Sequence, residues 1–378
     1  MPCIALGRTG IEVEKNGFGC LPIQRIPQDD AVRLLRKARD AGIRFFDTAR
    51  GYSDSERKMG LAFEGLRGTL FIASKTPAKT PEVFWEHLKT SLENLRTDYL
   101  DLYQFHNPAF CPRPGDGTGL YECMLEAKRR GLIRHIGISN HRLPVAREAV
   151  ASGLYETLQF PFTYLATEKD LELVAACADA GMGFIAMKAL AGGLVADAAA
   201  ACAYLDQFPH VLPIWGIQKE AELDQFIGFI ASPPRMTETL AAAIEKDRAE
   251  LLGEFCRGCG YCMPCPACIE ISLCARMSLM IRRSPPEGLL KPETRQLMWS
   301  PQRLNDGKYT SYGLGWTIGT FDEEPRYSHG GGQPGTSTFL DVLPGRHVVV
   351  AVMTNLEGAP AKDISEKILR LLAEQHAQ

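Results

Sequence analysis

Four side chains that could act together on a carbonyl group lie close behind three short apolar runs. The runs end at Asp47, Lys75 and His106, and Tyr52 follows Asp47 by five positions. A tyrosine has a reference pKa of about 10, so it is a useful acid at neutral pH only where a cation stabilises its phenolate. Lys75 is the candidate cation, Asp47 its partner and Tyr52 the general acid. His106 could donate a hydrogen bond to a carbonyl oxygen and stabilise the charge that develops there.

Each of these residues has a simpler interpretation when it is taken alone. Asp47 and Lys75 could form a structural ion pair, Tyr52 could lie on the surface and His106 in the core. Their joint position at the ends of successive runs favours chemistry, because the carboxyl ends of parallel strands share one edge, and that edge carries the active site in α/β folds. Together the four residues predict the reduction of a carbonyl group.

The elements that must position these residues alternate between strand and helix patterns, with a repeat of roughly 30 residues, the size of one βα unit. About eight units fit before Ile230, and eight units close a TIM barrel. A doubly wound sheet would also alternate, but it usually has a glycine-rich fingerprint after its first strand. The stretch 13–19 is expected to be the first strand and turn, and Gly-Phe-Gly-Cys at 17–20 does not match that fingerprint. The sequence therefore predicts an α/β fold with a (β/α)8 TIM barrel.

Composition excludes several classes of protein. The 378 residues carry a net charge of −3 and no long basic run, so neither nucleic acid nor an anionic membrane is an expected partner. The N-terminus lacks the pattern of a signal peptide, and the most apolar region, 183–205, is interrupted by Lys188 and Asp197. A cytoplasmic protein that acts on a small molecule is the expectation.

The character of the sequence changes twice, which predicts three segments. The barrel is expected over 1–232, a helix and a cysteine-rich stretch over 233–284, and a small α+β module over 285–378. In that last segment, glycine and proline turns separate runs that resemble antiparallel strands, and an amphipathic helix follows. The predicted elements of the module are strands at 312–318, 337–342 and 347–353 and a helix at 361–375.

Half of the twelve cysteines lie between Cys256 and Cys274, which favours metal ligation by reduced thiolates over disulfides. Cys256, Cys259 and Cys262 are separated by two-residue gaps, and Cys265 followed by proline resembles the end of a ferredoxin motif. These four cysteines are the candidate ligands of one [4Fe–4S] cluster. A zinc site or unligated thiols are the alternatives, and Cys268 or Cys274 could replace Cys265 as the fourth ligand.

Several motifs over residues 1–230 resemble the aldo-keto reductase family: Phe46-Asp47-Thr48-Ala49 with Tyr52, Ala73-Ser74-Lys75, Gln104-Phe105-His106-Asn107 and Ile136-Gly137-Ile138-Ser139-Asn140. The resemblance implies a TIM barrel that binds NADPH and reduces an aldehyde or ketone by hydride transfer. The family's catalytic tetrad falls on Asp47, Tyr52, Lys75 and His106, with Tyr52 as the proton donor.

The same resemblance implies a cofactor site around the rim of the barrel. The nicotinamide carboxamide is expected at Ser139, Asn140 and Gln159. The nicotinamide ring is expected at Met187, where the family often has a tyrosine. The pyrophosphate is expected at Leu190 and Gly192, and the adenosine end at Gln218, Lys219 and Asp224. Many members have arginine where this chain has Gln218, so NADH is an alternative to NADPH. Lys219 could compensate for that arginine.

Two further resemblances concern the C-terminal third. Residues 1–283 resemble an iron–sulfur subset of the aldo-keto reductases, and the similar cysteine motif is the stretch 258–266. The second cysteine motif of that subset is absent here. One cluster is therefore expected, with a redox partner if the cluster is present. The stretch 327–335 with Thr354-Asn355 resembles the end of serine β-lactamase-like hydrolases. Their Ser-x-x-Lys nucleophile has one match in this chain, Ser55 to Lys58, which is interpreted as a chance occurrence.

Three other functions remain as alternatives at this point. An electron-transfer protein would use the cysteine site and keep the barrel as a scaffold. A serine hydrolase would use the C-terminal module with Ser55. A non-catalytic protein would bind the nucleotide without turning it over.

Overall fold

The computed structural model describes residues 3–251, 292–333 and 335–376, which fall into two compact units, one on each side of the 252–291 segment. The N-terminal unit opens with an antiparallel hairpin of β1 (Cys3–Ala5) and β2 (Glu12–Glu14). A closed barrel of eight parallel strands follows. Its strands are β3 (Gly17–Gly19), β4 (Phe45–Asp47), β5 (Phe71–Thr76), β6 (Leu100–His106), β7 (Ile133–Ser139), β8 (Thr157–Pro161), β9 (Gly183–Met187) and β10 (Val211–Gly216).

Helices alternate with these strands, as in a TIM barrel, which confirms the predicted fold class. They are α1 (Gln28–Asp40), α2 (Ser55–Ala62), α3 (Pro81–Leu95), α4 (Leu120–Arg129), α5 (Leu143–Ser152), α6 (Glu168–Asp179), α7 (Ala198–Asp206) and α8 (Glu220–Ala231), and α9 (Glu238–Leu251) follows the last unit. The pattern of α1 shows why such segments become helices here: Ala31, Leu34, Leu35 and Ala38 recur at helical spacing and are all buried.

One expectation about the first strand is corrected. The stretch 13–19 was expected to be one strand and turn, but it contains the end of β2 and the whole of β3, which belong to different sheets. Asn16 lies between them, and its N–H donates to the carbonyl of Glu14 across a tight turn. Gly17 permits the close approach of β10, because a Cβ there would come within 2.9 Å of the Ile214 side chain.

The register of the barrel strands determines which residues reach the same rim. Asp47 pairs with Ala73, Lys75 with Gln104, and His106 with Ser139, which in turn pairs with Gln159. The chain of pairings carries the polar residues at the carboxyl ends of β4 to β8 to one rim. At the amino end, side chains of the hairpin join the barrel core in one cluster: Ile4, Leu6, Ile11, Val13, Phe45, Leu102, Ile185 and Leu212.

The C-terminal unit is an antiparallel sheet with a terminal helix, as predicted, but the sheet has four strands, because Glu324–Gln333 adds one to the three that were predicted. Its elements are α10 (Pro292–Met298), β11 (Thr317–Phe321), β12 (Glu324–Gln333), β13 (Thr336–Leu343), β14 (Val348–Thr354) and α11 (Ala361–His376). The helix covers one face of the sheet, because Phe321, Leu343, Val350 and Val352 share a core with Leu369 of the helix. Arg326 holds the buried Asp341 with two hydrogen bonds, of 2.7 and 3.0 Å.

The strand predicted at 312–318 starts later than expected. The N–H of Gly313 donates to the carbonyl of Trp316 at 2.8 Å, and Gly315 has φ of +77°. These residues therefore make a tight turn, and the strand follows it. Among the described residues, no helix is long and apolar enough to cross a membrane.

Candidate active site

The centre of the candidate site is a buried ion pair between the ends of β4 and β5. The Nζ atom of Lys75 lies 2.6 Å from Oδ2 of Asp47 and also donates to the carbonyl of Thr48 at 2.7 Å. Both side chains are almost fully buried. Two buried amides on neighbouring strands complete the shell of Asp47: Gln159 donates to Oδ2 at 3.2 Å and Gln104 to Oδ1 at 3.4 Å. The pair is therefore held from several directions.

Tyr52 and His106 lie next to this pair, as the sequence predicted. The Lys75 Nζ atom is 5.1 Å from the centre of the Tyr52 ring, so the ammonium and the aromatic ring attract each other. The ring of His106 meets the Tyr52 ring edge-on, with centres 5.5 Å apart and an angle of 84°. The fold thus brings all four residues of the predicted tetrad together at one rim.

The environment gives each ionisable group a definite charge state. Burial works against the charge of Lys75, but Asp47 and Tyr52 outweigh it and raise the pKa of the ammonium. Burial also raises the pKa of Tyr52, and Lys75 acts in the opposite direction. Burial, then Lys75 and His141, lower the pKa of His106 to about 3. At neutral pH the site therefore holds a protonated lysine, a protonated tyrosine and a neutral imidazole.

A buried hydrogen-bond network fixes the loop that carries Tyr52 to the barrel. The Ser55 hydroxyl donates to the carbonyl of Cys20 at 2.9 Å and lies 2.9 Å from the Thr48 hydroxyl. Glu56, also buried, accepts from Ser74 at 2.7 Å and pairs with Arg50. These contacts tie the first turn of α2 to the barrel and so position Tyr52.

Ser55 and Lys58, the match to a hydrolase nucleophile, are both used by this scaffold. The Lys58 ammonium donates to the carbonyls of Ile23 and Ile26 at 3.0 and 2.8 Å and pairs with Asp54 at 3.0 Å. A lysine that acts as a base needs a free lone pair directed at the serine. The contacts therefore support the interpretation of this motif as a chance occurrence.

The three residues expected at the nicotinamide carboxamide lie side by side. Ser139 ends β7 and pairs in register with Gln159 on β8, and the N–H of Asn140 donates to the Gln159 carbonyl at 2.9 Å. All three side chains are buried. The Asn140 side chain donates to the carbonyl of Pro108 at 2.8 Å and accepts from the N–H of Arg142 at 2.8 Å. The donor set suits a small, planar amide with both a donor and an acceptor.

The remaining expected cofactor residues lie on the loops after β9 and β10. Met187 ends β9 and is largely buried, and the loop after it turns through positive φ angles at Ala191, Gly192 and Gly193. Leu190 accepts from the N–H groups of Gly193 and Val195.

Beyond β10, Gln218 and Lys219 immediately precede α8, with Lys219 as its N-cap, and their N–H groups both donate to Glu222 at 3.0 Å. Asp224 pairs with Lys37 of α1 at 2.6 Å. The structure therefore places Asp224 in a contact between two helices.

Gln104 is a buried part of the site to which the sequence analysis gave no role. Its amide donates to Oε1 of Gln159 at 2.8 Å as well as to Asp47. The period of a β-strand contained the signal, because Gln104 precedes His106 by two positions and so points to the same side of β6. A polar residue at an inward position of a barrel strand was therefore visible in the sequence.

The cysteines Cys256, Cys259, Cys262 and Cys265 lie in the segment 252–291, outside the described residues. Among the described ones, no group of three or more His, Cys, Asp or Glu side chains is arranged to hold a metal ion. The cluster stays a prediction from spacing.

Comparison with known proteins gives two family matches. A model of the aldo/keto reductase family matches residues 14–230, more than half of the chain, and a beta-lactamase model matches residues 273–375. Among curated relatives, the methylglyoxal reductase DkgB of Salmonella typhi is 38% identical over 136 residues, which are 34% of this chain and 49% of that protein. The L-galactose dehydrogenase of Arabidopsis thaliana is 28% identical over 212 residues, 51% of this chain and 66% of that protein.

The chain spans about half the length of the first curated relatives that it matches. Solved structures agree with the barrel fold. An aldo-keto reductase of Bacillus halodurans in its holo form has a TM-score of 0.57 at 22% identity and covers 65% of this chain and 96% of its own. An aldo-keto reductase of Klebsiella pneumoniae in complex with NADPH has a TM-score of 0.57 at 21% identity. The match covers 65% of this chain and 95% of that protein.

The low pKa of His106 predicts a specific dependence of stability on pH. An unfolded histidine takes up a proton near pH 6.5, whereas His106 in the folded protein does so only near pH 3. Stability is therefore lost as pH falls below about 6.5. We expect the urea midpoint of the parent to fall more steeply between pH 7 and 5 than that of His106→Gln, which cannot be protonated.

His210→Gln, at an exposed position, is the matched control and should keep the pH dependence of the parent. Identical pH profiles for the parent and His106→Gln would show that His106 is not held neutral by the fold.

Proposed function

This chain belongs to the aldo/keto reductase family, and from that premise we propose that it reduces an aldehyde or ketone at the expense of NADPH, with Tyr52 as the proton donor. The observation that carries the proposal is the position of the buried Lys75–Asp47 pair beside the Tyr52 ring. A buried ion pair alone is common in proteins. Here a tyrosine and a neutral histidine lie beside the pair, at the rim where TIM barrels carry their active sites. Reduction of a carbonyl group needs such a proton donor and hydrogen-bond donor.

We propose NADPH as the cofactor, because solved relatives bind it and the residues at the rim fit it. Structures similar to this chain include aldo-keto reductases in complex with NADPH, or with NADP and acetate. When bound, the nicotinamide would supply the hydride that attacks the carbonyl carbon. In this chain, Ser139, Asn140 and Gln159 would hold the carboxamide, Met187 would lie against the ring, and Leu190 and Gly192 would approach the pyrophosphate.

The proton path runs through the chain's own residues. Tyr52 would donate its phenolic proton to the carbonyl oxygen as the C–H bond forms, and Lys75 would stabilise the phenolate that remains. Asp47 would keep Lys75 charged and in place. His106, neutral at working pH, would donate a hydrogen bond to the same oxygen and orient the substrate. Because the pKa of Tyr52 is raised, the proton is present on the donor throughout the neutral range.

The class of carbonyl substrate is proposed from the relatives. One curated relative is a methylglyoxal reductase and another an L-galactose dehydrogenase, so small polar aldehydes and ketones are the first compounds to test. The loops beyond the strands determine substrate choice in such barrels.

The proton donor is tested by Tyr52→Phe. We expect kcat for carbonyl reduction to fall by about 10²- to 10⁴-fold, the range for a lost general acid, while the affinity for NADPH stays within about twofold. NADPH oxidation against a panel that includes methylglyoxal, ketones and quinones measures the first quantity, and quenching of protein fluorescence measures the second.

Tyr99→Phe is the matched control, because the Tyr99 ring lies between Arg67 and Arg134, away from the rim residues, and should keep full activity. Undiminished turnover in Tyr52→Phe would refute the assignment. NADPH binding without turnover in the parent would favour a nucleotide-binding role.

The choice of NADPH over NADH is tested at Lys219. This exposed lysine at the start of α8 lies in the segment proposed to meet the adenosine end. We expect Lys219→Ala to raise the KM for NADPH on the order of fivefold to tenfold through loss of a charge-assisted contact to the 2′-phosphate, and to leave the KM for NADH unchanged. Lys169→Ala, an exposed lysine on α6, is the control. Equal effects on both cofactors would contradict the proposed contact.

We further propose that Cys256, Cys259, Cys262 and Cys265 bind one [4Fe–4S] cluster, a proposal supported by their spacing. Anaerobically purified protein should then contain four iron and four sulfide per chain, and a Cys262→Ser variant should contain less. Metal-free protein with full reductase activity would exclude both the cluster and an electron-transfer role.

A further inference from the structure

Gln159, the residue expected to hold the nicotinamide carboxamide, is itself held by a neighbour without an assigned role. Gln104 on β6 and Gln159 on β8 are both fully or almost fully buried, at 0% and 1% exposure. Gln104 donates to Oε1 of Gln159 at 2.8 Å, and Gln159 donates to Asp47 at 3.2 Å. Gln104, Gln159 and Asp47 form one directed sequence of hydrogen bonds inside the barrel, and Gln104 also donates directly to Oδ1 of Asp47 at 3.4 Å.

The charge of Asp47 fixes the direction of this sequence. An ionised carboxylate only accepts hydrogen bonds, so the NH₂ group of Gln159 must face Asp47 and its Oε1 must face away. Oε1 then needs a donor, and the NH₂ group of Gln104 supplies one. The reverse orientation of Gln104 would place two carbonyl oxygens against each other. Each amide therefore has a single orientation that satisfies its neighbours.

This arrangement leaves an unsatisfied atom that needs an explanation. Oε1 of Gln104 is buried and has no hydrogen-bond partner among the described residues. A buried acceptor without a partner is unfavourable for folding, and a leucine of similar size would avoid that cost. The polar side chain at 104 is therefore better explained by what its NH₂ group does for Gln159, and at longer distance for Asp47, than by the packing of the core.

We propose that Gln104 is a positioning residue that holds the Gln159 amide with one N–H free to donate to the carbonyl oxygen of the nicotinamide carboxamide. The proposal rests on the proposed function. One N–H of Gln159 already donates to Asp47, so its second N–H is the one that can donate to the cofactor. The NH₂ group of the carboxamide would then face the oxygens of Ser139 and Asn140. Gln104 thus holds the amide that meets the cofactor without touching the cofactor itself.

The test compares three cofactors that differ only at the carboxamide: NADP⁺, its 3-acetylpyridine analogue, which keeps the carbonyl and lacks the NH₂ group, and its thionicotinamide analogue, whose C=S group is a weak acceptor. Fluorescence quenching gives the Kd of each for the parent, Gln104→Leu and Thr157→Val. Thr157 is buried on the same strand as Gln159 and its hydroxyl has no partner, so Thr157→Val is the matched control.

We expect Gln104→Leu to weaken NADP⁺ and the acetylpyridine analogue alike, by about fivefold to tenfold, and the thionicotinamide analogue by less than twofold. Thr157→Val should leave all three unchanged. Unchanged binding of NADP⁺ by folded Gln104→Leu, or an equal loss for all three cofactors, would overturn the proposal, since a purely structural role does not distinguish the carbonyl from its replacement.

Gln104→Glu keeps the proposal testable if the leucine variant does not fold. A carboxylate cannot donate to Gln159, but a protonated carboxyl can, so NADP⁺ affinity relative to the parent should recover as pH falls from 8 to 5.5. No recovery would overturn the proposal. A parent that binds NADP⁺ but reduces no carbonyl would refute the proposed function alone, and one that does not bind NADP⁺ would refute both.

Discussion

The buried ion pair of Asp47 and Lys75 is the interaction on which the site depends. Removing two charges from water costs several kcal/mol per ion, and the attraction between them compensates only if their remaining hydrogen bonds are satisfied. Here the compensation comes from the Thr48 carbonyl and from Gln104 and Gln159, which reach Asp47 from β6 and β8. The pair therefore depends on strands of the closed barrel that keep their register. A slip by one residue would turn these side chains to the other face of the sheet.

One cation then gives its two aromatic neighbours different roles. The charge of Lys75 adds to the effect of burial on His106, because both disfavour an imidazolium, but it opposes the effect of burial on Tyr52, because it stabilises a phenolate. The same ammonium thus keeps the histidine neutral as a hydrogen-bond donor and makes deprotonation of the tyrosine easier than burial alone would allow. Both effects need Asp47, since it keeps the lysine protonated inside the barrel.

The sequence predicted the barrel and the meeting of the tetrad because both depend on local patterns. Strand-like runs ended in polar residues, and parallel strands bring such ends together. The sequence alone therefore predicted that Asp47, Lys75 and His106 lie at one rim of the barrel. The inward, polar position of Gln104 was visible in the strand period, but its contact with Gln159, 55 positions away, was not. The break at Asn16 and the turn at Gly313 were missed for a related reason. An apolar run does not show where tertiary contacts end a strand.

The C-terminal unit shows why the ion pair alone does not identify an active site. Asp341 is as buried as Asp47, and it is held by Arg326 and by the Ser365 hydroxyl at 2.6 Å. Arg326 also pairs with Glu366 at 2.8 Å, so this network joins the sheet to the terminal helix. Glu366 also pairs with Arg370 at 3.7 Å. In the barrel, Lys75 also faces the ring of Tyr52, which under the proposed function has a proton to transfer. Under that proposal, a structural and a chemical ion pair differ in the neighbour that can change its protonation state, and in this chain that neighbour is Tyr52.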